Sequence, residues 1–264
     1  MLYLSSSMQK KPPGGAIEIL ELLDHEAIHS IYGLHVTNEL PVGMIGLCEG
    51  PYMAASDSFS ISIRGTGGHG ALPGTVQDTV SAAASLINSI NQITSRGFPV
   101  IRDTIVSICS IHGGNSYNVI PGEVTLQGTI RTFQHEAYRR IIEKIQKIVV
   151  GTSSIYDTTI TLRESKGYPA LINNSEKISL IRTALSKYTR IQYEDIAPTP
   201  VGEDFSVYLQ KIPGAFFRLG THGSIESSFP LHHNQFDIDE NALGVGLTAY
   251  WSIYLTECLN TEEE

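Results

Sequence analysis

The order of strand-like and helix-like segments between residues 57 and 163 constrains the fold of this chain most. Apolar residues alternate with polar ones where a strand is expected and recur every three or four residues where a helix is expected. The predicted elements are a strand at 58–64, a helix at 78–95, strands at 104–112 and 123–132, a helix at 135–149 and a strand at 157–163. This βαββαβ order predicts an α+β unit of the ferredoxin-like kind, with helices on one face of its sheet and an edge strand able to pair with another chain.

The segments on either side of this unit predict an α/β domain that supplies both ends of the chain. The expected elements are a helix at 14–29, a strand at 31–36, a turn at 38–41, a strand at 42–47, a helix capped by residues 173–175, a strand at 215–219 and a last helix capped by Asp239 that carries Leu243, Val245, Leu247, Trp251 and Leu255. The sequence therefore predicts a discontinuous domain, 1–56 with 164–264, interrupted by an inserted domain at 57–163.

A glycine-rich loop at 65–73 carries a histidine, His69, between the first strand and first helix of the inserted domain. Gly65, Gly67 and Gly70 match the dinucleotide-binding pattern G-x-G-x-x-G, but Pro73 delays the helix and no acidic residue follows at the required distance. A flexible turn that carries a solvated histidine is the structural alternative to a functional loop.

Composition excludes several classes of function. The net charge of −9 and the absence of a Lys/Arg run argue against a nucleic-acid partner. Three widely spaced cysteines form neither a disulfide framework nor a thiolate zinc motif, which favours a reducing, cytoplasmic location. The first residues resemble neither a signal peptide nor a membrane span. A G-x-S-x-G nucleophile elbow, a phosphate-binding loop and an H-E-x-x-H zinc helix do not occur in the sequence.

Seven ordered segments resemble the M20 family of metal-dependent amidohydrolases, in the branch of hippurate hydrolases and N-acyl-amino-acid amidohydrolases. They are 33–36 (GLHV), 40–43 (LPVG), 67–73 (GGHGALP), 117–121 (YNVIP), 128–133 (GTIRTF), 202–206 (GEDFS) and 230–240 (PLHHNQFDIDE). The resemblance covers most of the chain. It implies an α/β catalytic domain interrupted by a ferredoxin-like dimerisation domain.

The resemblance also implies roles for individual residues. His35 and His232 match family histidines that bind the two divalent metal ions, whose identity, Zn, Mn, Co or Ni, stays open. His69 matches a donor that reaches from one subunit of a homodimer to the partner's active site and stabilises the oxyanion. Asn118 and Arg131 match residues near the substrate carboxylate. Taken by themselves, His35 fits a hydrogen-bonded core histidine, and Arg131 fits a solvated strand residue equally well.

Two further family features are expected upstream of these segments and do not occur in this sequence. They are an H-x-C-G-H-D segment and an acidic pair, which the family uses as metal ligands and general base. Residues 9–10 read Gln-Lys where the acidic pair is expected. We therefore expect a truncated enzyme for N-acyl amino acids or small peptide-like substrates, which binds metal weakly and has little or no activity. The alternative is a non-catalytic dimerisation remnant.

Overall fold

The computed structural model describes residues 14–95, 104–223 and 229–260, which form two compact units. The terminal unit contains the described residues up to Tyr52, Leu171–Thr199 and those from Asp204 onward. The inserted unit contains Met53–Ala170 and Pro200–Glu203. The predicted assignment of 57–163 to dimerisation and of the remainder to catalysis stays a prediction.

Six helices and twelve strands are described. In chain order they are α1 (Gly14–Leu22), β1 (Ile31–Pro41), β2 (Met44–Leu47), β3 (Gly50–Met53), β4 (Ala55–Arg64), β5 (Gly68–His69), α2 (Thr79–Ser95), β6 (Ile105–His112), β7 (Val119–Ile120), β8 (Glu123–Thr132), α3 (His135–Tyr156), β9 (Thr159–Ser165), β10 (Leu171–Asn173), α4 (Ser175–Tyr188), β11 (Gln192–Asp195), α5 (Ser206–Leu209), β12 (Gly214–His222) and α6 (Asn241–Asn260).

The terminal unit is built on a mixed four-stranded sheet in the order β1-β12-β2-β11. β1 runs parallel to β12, β12 antiparallel to β2, and β2 parallel to β11. Alternate residues of the sheet, including Phe217 and Leu219, share one apolar cluster with α4 and α6. These two helices therefore cover one face of the sheet, and residues that alternate with the cluster residues point to the other face.

The inserted unit is an antiparallel sheet in the order β6-β8-β4-β9 with α2 and α3 packed on one face. Its core joins Ile61 and Leu126 of the sheet to Leu86 of α2 and Ile141 of α3, all fully buried. This is the expected βαββαβ arrangement, and the predicted α/β fold class is confirmed. The spacing of apolar residues was sufficient because each helix of this unit has one apolar face and one polar face.

Several predicted bounds differ from the structure. The first helix ends at Leu22 and a 3₁₀ turn, His25–Ala27, follows it. β1 continues to Pro41, which pairs with His222 after a bulge, so the turn lies at Val42 and Gly43 instead of 38–41. α3 continues seven residues beyond the expected end at 149, because Thr152 is buried and the helix ends at Asp157 in a left-handed cap.

Among the described helices, none has the length and apolarity that crossing a membrane requires.

Candidate active site

His35 lies in the middle of β1, on the face of the sheet opposite α4 and α6. Its neighbours Leu34 and Val36 pack against the apolar cluster, so the alternation of a strand turns His35 to the other face. The ring atom Nδ1 lies 2.8 Å from the carbonyl oxygen of Val36. A carbonyl oxygen only accepts, so Nδ1 carries the proton and the Nε2 lone pair faces away from it, which is the form that binds a metal ion.

Two positions before His35, the packing of neighbouring side chains requires a glycine, Gly33. A Cβ atom at Gly33 would lie 2.7 Å from the ring of Phe205 and 2.8 Å from that of Phe216. These aromatic rings therefore pack directly against the β1 backbone on the face that carries His35. The Gly-x-His spacing follows from this packing.

Arg218 was not predicted as a site residue, although it lies beside His35. The two residues are paired in the register of β1 and β12, and the neighbours of Arg218, Phe217 and Leu219, face the opposite side. The Arg218 Nε donates to the hydroxyl of Tyr52 at 2.7 Å. An arginine inside the apolar run 215–219 is the signal that could have identified it, because a charge is rare on a buried strand.

His232 lies in an irregular segment between β12 and α6. Its φ of 69° is unusual for a residue other than glycine, and such strain is found most often at functional positions. The segment returns to the sheet where the Asp239 backbone NH donates to Thr221, 3.1 Å away. The Thr221 hydroxyl in turn donates to the carbonyl of Thr37, two residues beyond His35. The histidine thus belongs to the same unit as His35, and their convergence on one metal centre stays a prediction.

In the inserted unit, a short two-stranded ribbon brings His69 and Asn118 together. β5 pairs with β7 so that His69 lies opposite Val119, and the backbone NH of Gly70 donates to the carbonyl of Asn118 at 2.8 Å. Gly68 has a φ of 148°, and a Cβ there would lie 2.5 Å from Val76. The glycines therefore allow a close ribbon, and α2 begins only at Thr79. This geometry does not fit the dinucleotide pattern, in which the helix begins at the third glycine.

The ribbon determines which ring nitrogen of His69 carries the proton. The backbone NH of Ala71 donates to His69 Nδ1 at 3.1 Å, so the neutral ring carries its proton on Nε2. The side chain is exposed, and its Nε2–H is a hydrogen-bond donor at the surface. The Asn118 Oδ1 accepts from the Ser116 hydroxyl at 2.7 Å. The Nδ2 group at the other end of this amide is a hydrogen-bond donor.

Beside the ribbon lies an open groove of about 610 Å³. Its lining includes Gly70, Asn118 and most of the loop between β6 and β8. Tyr117 and Val119 of this loop are exposed. The groove thus provides polar donors at its edge and apolar side chains next to them.

Arg131 lies at the other end of the same sheet. It is opposite Ser56, whereas the ribbon adjoins the Arg64–Glu123 end of the strand pair, roughly 25 Å away at 3.3 Å per residue. Its Nη1 donates to the carbonyls of Asp57 (3.3 Å) and Ile130 (3.1 Å) and to the Thr129 hydroxyl. Burial lowers the pKa of the guanidinium from its ordinary value, against a smaller opposite effect of Asp57. Within one chain, Arg131 and Asn118 do not reach one small molecule.

Glu203 and Asp204, which belong to the resembling segment 202–206, fall on either side of the boundary between the two units. Both residues have interaction partners. The backbone carbonyl of Asp204 accepts from Val207 at 3.0 Å, which begins the short helix α5.

Comparison with known proteins identifies the family of the chain. The sequence profile of Peptidase family M20/M25/M40 matches residues 7–254. The chain belongs to peptidase family M20/M25/M40. The resemblance noted in the sequence is therefore confirmed at the level of the family, whose members hydrolyse amide bonds.

The M20 relatives include N-acetylcysteine deacetylase of Bacillus subtilis, 36% identical over 88% of this chain and 60% of the relative. N-acetyldiaminopimelate deacetylase of Enterococcus faecalis is 34% identical over 83% of this chain and 57% of the relative. The crystal structure of Bacillus subtilis YXEP, described as a dinuclear metal-binding peptidase, is 30% identical with a TM-score of 0.79, over 96% of this chain and 64% of that one. The chain thus spans about three fifths of the length of these relatives.

The described residues do not complete a metal centre of this kind. In residues 14–95, 104–223 and 229–260, no three or more His, Cys, Asp or Glu side chains form a group that could hold a metal ion. A catalytic zinc ion takes three protein ligands and a dinuclear centre takes more. His35 has the tautomer of a ligand, but His35 and His232 alone do not form such a set.

Proposed function

We propose that this chain forms part of an M20 amidohydrolase that removes the acyl group from N-acyl amino acids. The observation that carries the proposal is the β5–β7 ribbon, which presents His69 and Asn118 together, with the His69 proton on the exposed Nε2. A preorganised donor of this kind suits the oxygen of an amide carbonyl, which becomes negatively charged during hydrolysis. The two deacetylases among the relatives act, by their names, on N-acetylated amino acids.

Each site residue has a distinct part in this proposal. His69 donates to the carbonyl oxygen, and the amide of Asn118 and the guanidinium of Arg131 bind the carboxylate of the amino acid. His35 and His232 are ligands of divalent metal, which supplies the activated water in hydrolases of this kind. Because the described residues provide only these two ligands, we expect the chain by itself to bind metal weakly and to show no turnover.

Titration with Zn²⁺ or Co²⁺ tests the ligand assignment. His35→Ala and His232→Ala should each weaken metal binding by about tenfold or more, because each removes one of two ligands. His29→Ala changes an exposed histidine of the same unit and is the matched control. Unchanged binding in both site variants would refute the assignment.

We further propose that the enzyme is a homodimer in which β6 pairs with β6 of a second copy. β6 and β9 are the two edges of the inserted sheet. β6 is uncharged from Ile105 to Ile111, and both of these residues are exposed, whereas β9 carries Arg163 and Glu164. Charged edges resist pairing and apolar ones favour it. A dimer also allows His69 and Asn118 of one copy and Arg131 of the other to contact the same substrate, although they are far apart within one chain.

Sedimentation velocity tests the dimer. Ile111→Lys places a charge on the proposed pairing edge and should convert a dimer into a monomer. Thr161→Lys makes the same change of charge on the opposite edge strand and should leave the dimer intact. A monomeric wild-type protein, or dissociation by Thr161→Lys only, would contradict the proposed pairing.

The incomplete ligand set favours a second candidate, a non-catalytic dimerisation module. This candidate predicts a stable dimer whose weak metal binding does not depend on His35 or His232. Assays for release of free amino acid from N-acetyl amino acids, in the presence of Zn²⁺, Mn²⁺, Co²⁺ or Ni²⁺, add an independent readout. Stoichiometric metal together with turnover by this chain alone would refute both the expected loss of activity and the second candidate.

A further inference from the structure

The loop that carries His69 is closed at its two ends by hydrogen bonds. Thr66 stands at the beginning of the loop and Gln77 at its end. The Thr66 backbone NH donates to the side-chain oxygen Oε1 of Gln77 at 3.1 Å. In return, the Gln77 backbone NH donates to the Thr66 hydroxyl oxygen, also at 3.1 Å. We call this reciprocal pair the 66–77 clasp.

The packing of Gly65 is a second, separate sign that the ends of the loop meet. A Cβ atom at Gly65 would lie 2.8 Å from the carbonyl oxygen of Gln77 and 2.9 Å from its Cβ atom. Any larger residue would therefore push the chain that enters the loop away from the chain that leaves it. The clasp thus lies where the backbone itself is drawn together.

The other end of the Gln77 side chain fixes the clasp to helix α3. Its Nε2 group donates to the backbone carbonyl of Asp157, the residue that caps the end of α3. The Thr66 NH only donates and the Asp157 carbonyl only accepts, so one orientation of the amide satisfies both partners. An ionised carboxylate has no donor, and a thioether offers at most a weak acceptor. The two contacts therefore require an amide side chain at position 77.

The β5–β7 ribbon needs support of this kind. Each of its strands has two residues, and an isolated two-stranded ribbon is marginally stable at best. Gln77 directly precedes Asp78, whose carboxylate accepts from the first NH groups of α2, those of Val80 at 3.0 Å and Ser81 at 2.9 Å. Gln77 thus joins the His69 loop to the start of α2 through the backbone and to the end of α3 through its side chain.

We propose that Gln77 is a positioning residue for His69, the proposed oxyanion donor. The clasp holds the ends of the loop, and the loop holds the ring through the Ala71 NH, which donates to His69 Nδ1 at 3.1 Å. A donor stabilises a developing charge best when it is already fixed in place, so a loop without its clasp would weaken the donor. The catalytic meaning of the clasp rests on the proposed function, whereas its test measures only how firmly the ring is held.

NMR relaxation of Gln77→Met and Thr66→Val tests the proposal, because each variant keeps nearly the size of the side chain and removes its part of the clasp. The backbone order parameter of Ala71 should fall from about 0.85 to below about 0.6 in both variants. The ¹⁵N resonance of His69 Nδ1 should move toward that of a ring without the Ala71 bond. Thr66→Ser keeps the hydroxyl and should restore both signals.

Gln127→Met is the matched control in the same unit. Gln127 is exposed on β8 and accepts from the Ser110 hydroxyl at 3.1 Å, so its loss also removes a side-chain hydrogen bond. The order parameter of Ala71 and the Nδ1 resonance of His69 should stay at their wild-type values. Circular dichroism melts establish that every variant is folded.

Two results would overturn the positioning role of Gln77. One is an order parameter of Ala71 that Gln77→Met and Thr66→Val leave at the wild-type value. The other is a lower melting temperature in both variants without any change at Ala71 or at His69 Nδ1, because the clasp would then only stabilise the fold. Either result would leave His69 as the proposed donor, since the measurement involves neither metal nor substrate. Failure of the proposed function, conversely, would not alter these signals.

Discussion

His35 in the terminal unit and His69 in the inserted unit carry their ring protons on opposite nitrogens. His35 Nδ1 faces the Val36 carbonyl and therefore holds the proton, whereas His69 Nδ1 accepts from the Ala71 NH and therefore lacks it. The first ring has its lone pair on Nε2, and the second has its donor there. One backbone contact next to each ring thus gives the two histidines opposite capacities at Nε2, acceptance of a metal ion or donation to an oxygen, a distinction that residue type alone does not make.

The supports of the two histidines differ as well. His35 stands in the middle of the eleven-residue strand β1, against which the aromatic rings of Phe205 and Phe216 pack. His69 stands on a two-residue strand whose approach depends on glycines in positive φ. We therefore expect changes near His35 to act on global stability, and changes near His69 to act on the position of one side chain.

The largest effect should come from Asn173→Ala at the end of β10 in the terminal unit, which also contains His35. The buried Asn173 amide donates to the carbonyls of Cys48 (2.7 Å) and Phe216 (2.9 Å) and accepts from the Phe216 NH (2.8 Å). Its loss leaves buried backbone groups unpaired, so the free energy of unfolding should fall by about 3–5 kcal/mol in urea titrations. The neighbouring Asn174→Ala removes only a helix N-cap and should cost about 1 kcal/mol. An equal loss of unfolding free energy in the two variants would contradict the stabilising role of the Asn173 hydrogen bonds.

A smaller effect is expected from Gly68→Ala in the ribbon that carries His69. The new Cβ would lie 2.5 Å from Val76, in a backbone conformation that side chains rarely adopt. Stability should fall by about 2–3 kcal/mol, and the amide resonances of β5 and β7 should move in NMR spectra. Gly74→Ala, where a Cβ would meet nothing within 4 Å, is the control and should change stability by less than about 1 kcal/mol. Unchanged amide resonances of β5 and β7 in the Gly68→Ala variant would contradict the proposal that the close approach of the ribbon requires glycine.

A pH-dependent effect of about 1–2 kcal/mol should come from Glu257→Gln in the terminal unit. Burial opposes ionisation of Glu257, but hydrogen bonds from Lys177 (2.8 Å) and Tyr32 (2.5 Å) outweigh it and lower the pKa of this carboxyl. A lowered folded-state pKa adds stability above the unfolded value of about 4.3 and loses it as the pH falls through the folded value. The wild type should therefore exceed the variant most above pH 5, and the difference should shrink toward pH 3. A difference independent of pH would contradict this origin.

The sequence predicted the inserted unit better than the terminal one. In the inserted unit, polar and apolar faces of α2 and α3 are distinct, so the period of the pattern identifies both elements and core. In α6 both faces are apolar, and three of the five residues named from the sequence, Leu243, Leu247 and Trp251, lie outside while Ala242 and Ala249 are buried. Only packing against α4 and β12 decides which face is inside.

The candidate site shows a similar division. His35, His69, Asn118, Arg131 and His232 were found from motifs, but their arrangement depends on pairings that the sequence does not contain. The β5–β7 pairing joins His69 to Val119, 50 positions later, and the length of β8 separates Asn118 from Arg131. Arg218 carries no motif and emerges only from its register beside His35.

The most direct test of the account is ¹⁵N NMR of the histidine rings, recorded with and without Zn²⁺. In the neutral rings we expect a proton on Nδ1 of His35 and on Nε2 of His69, with added Zn²⁺ shifting Nε2 of His35 and leaving the His69 ring unchanged. The same tautomer in both rings, or a zinc-dependent shift at His69 without one at His35, would contradict the division of roles between the two units.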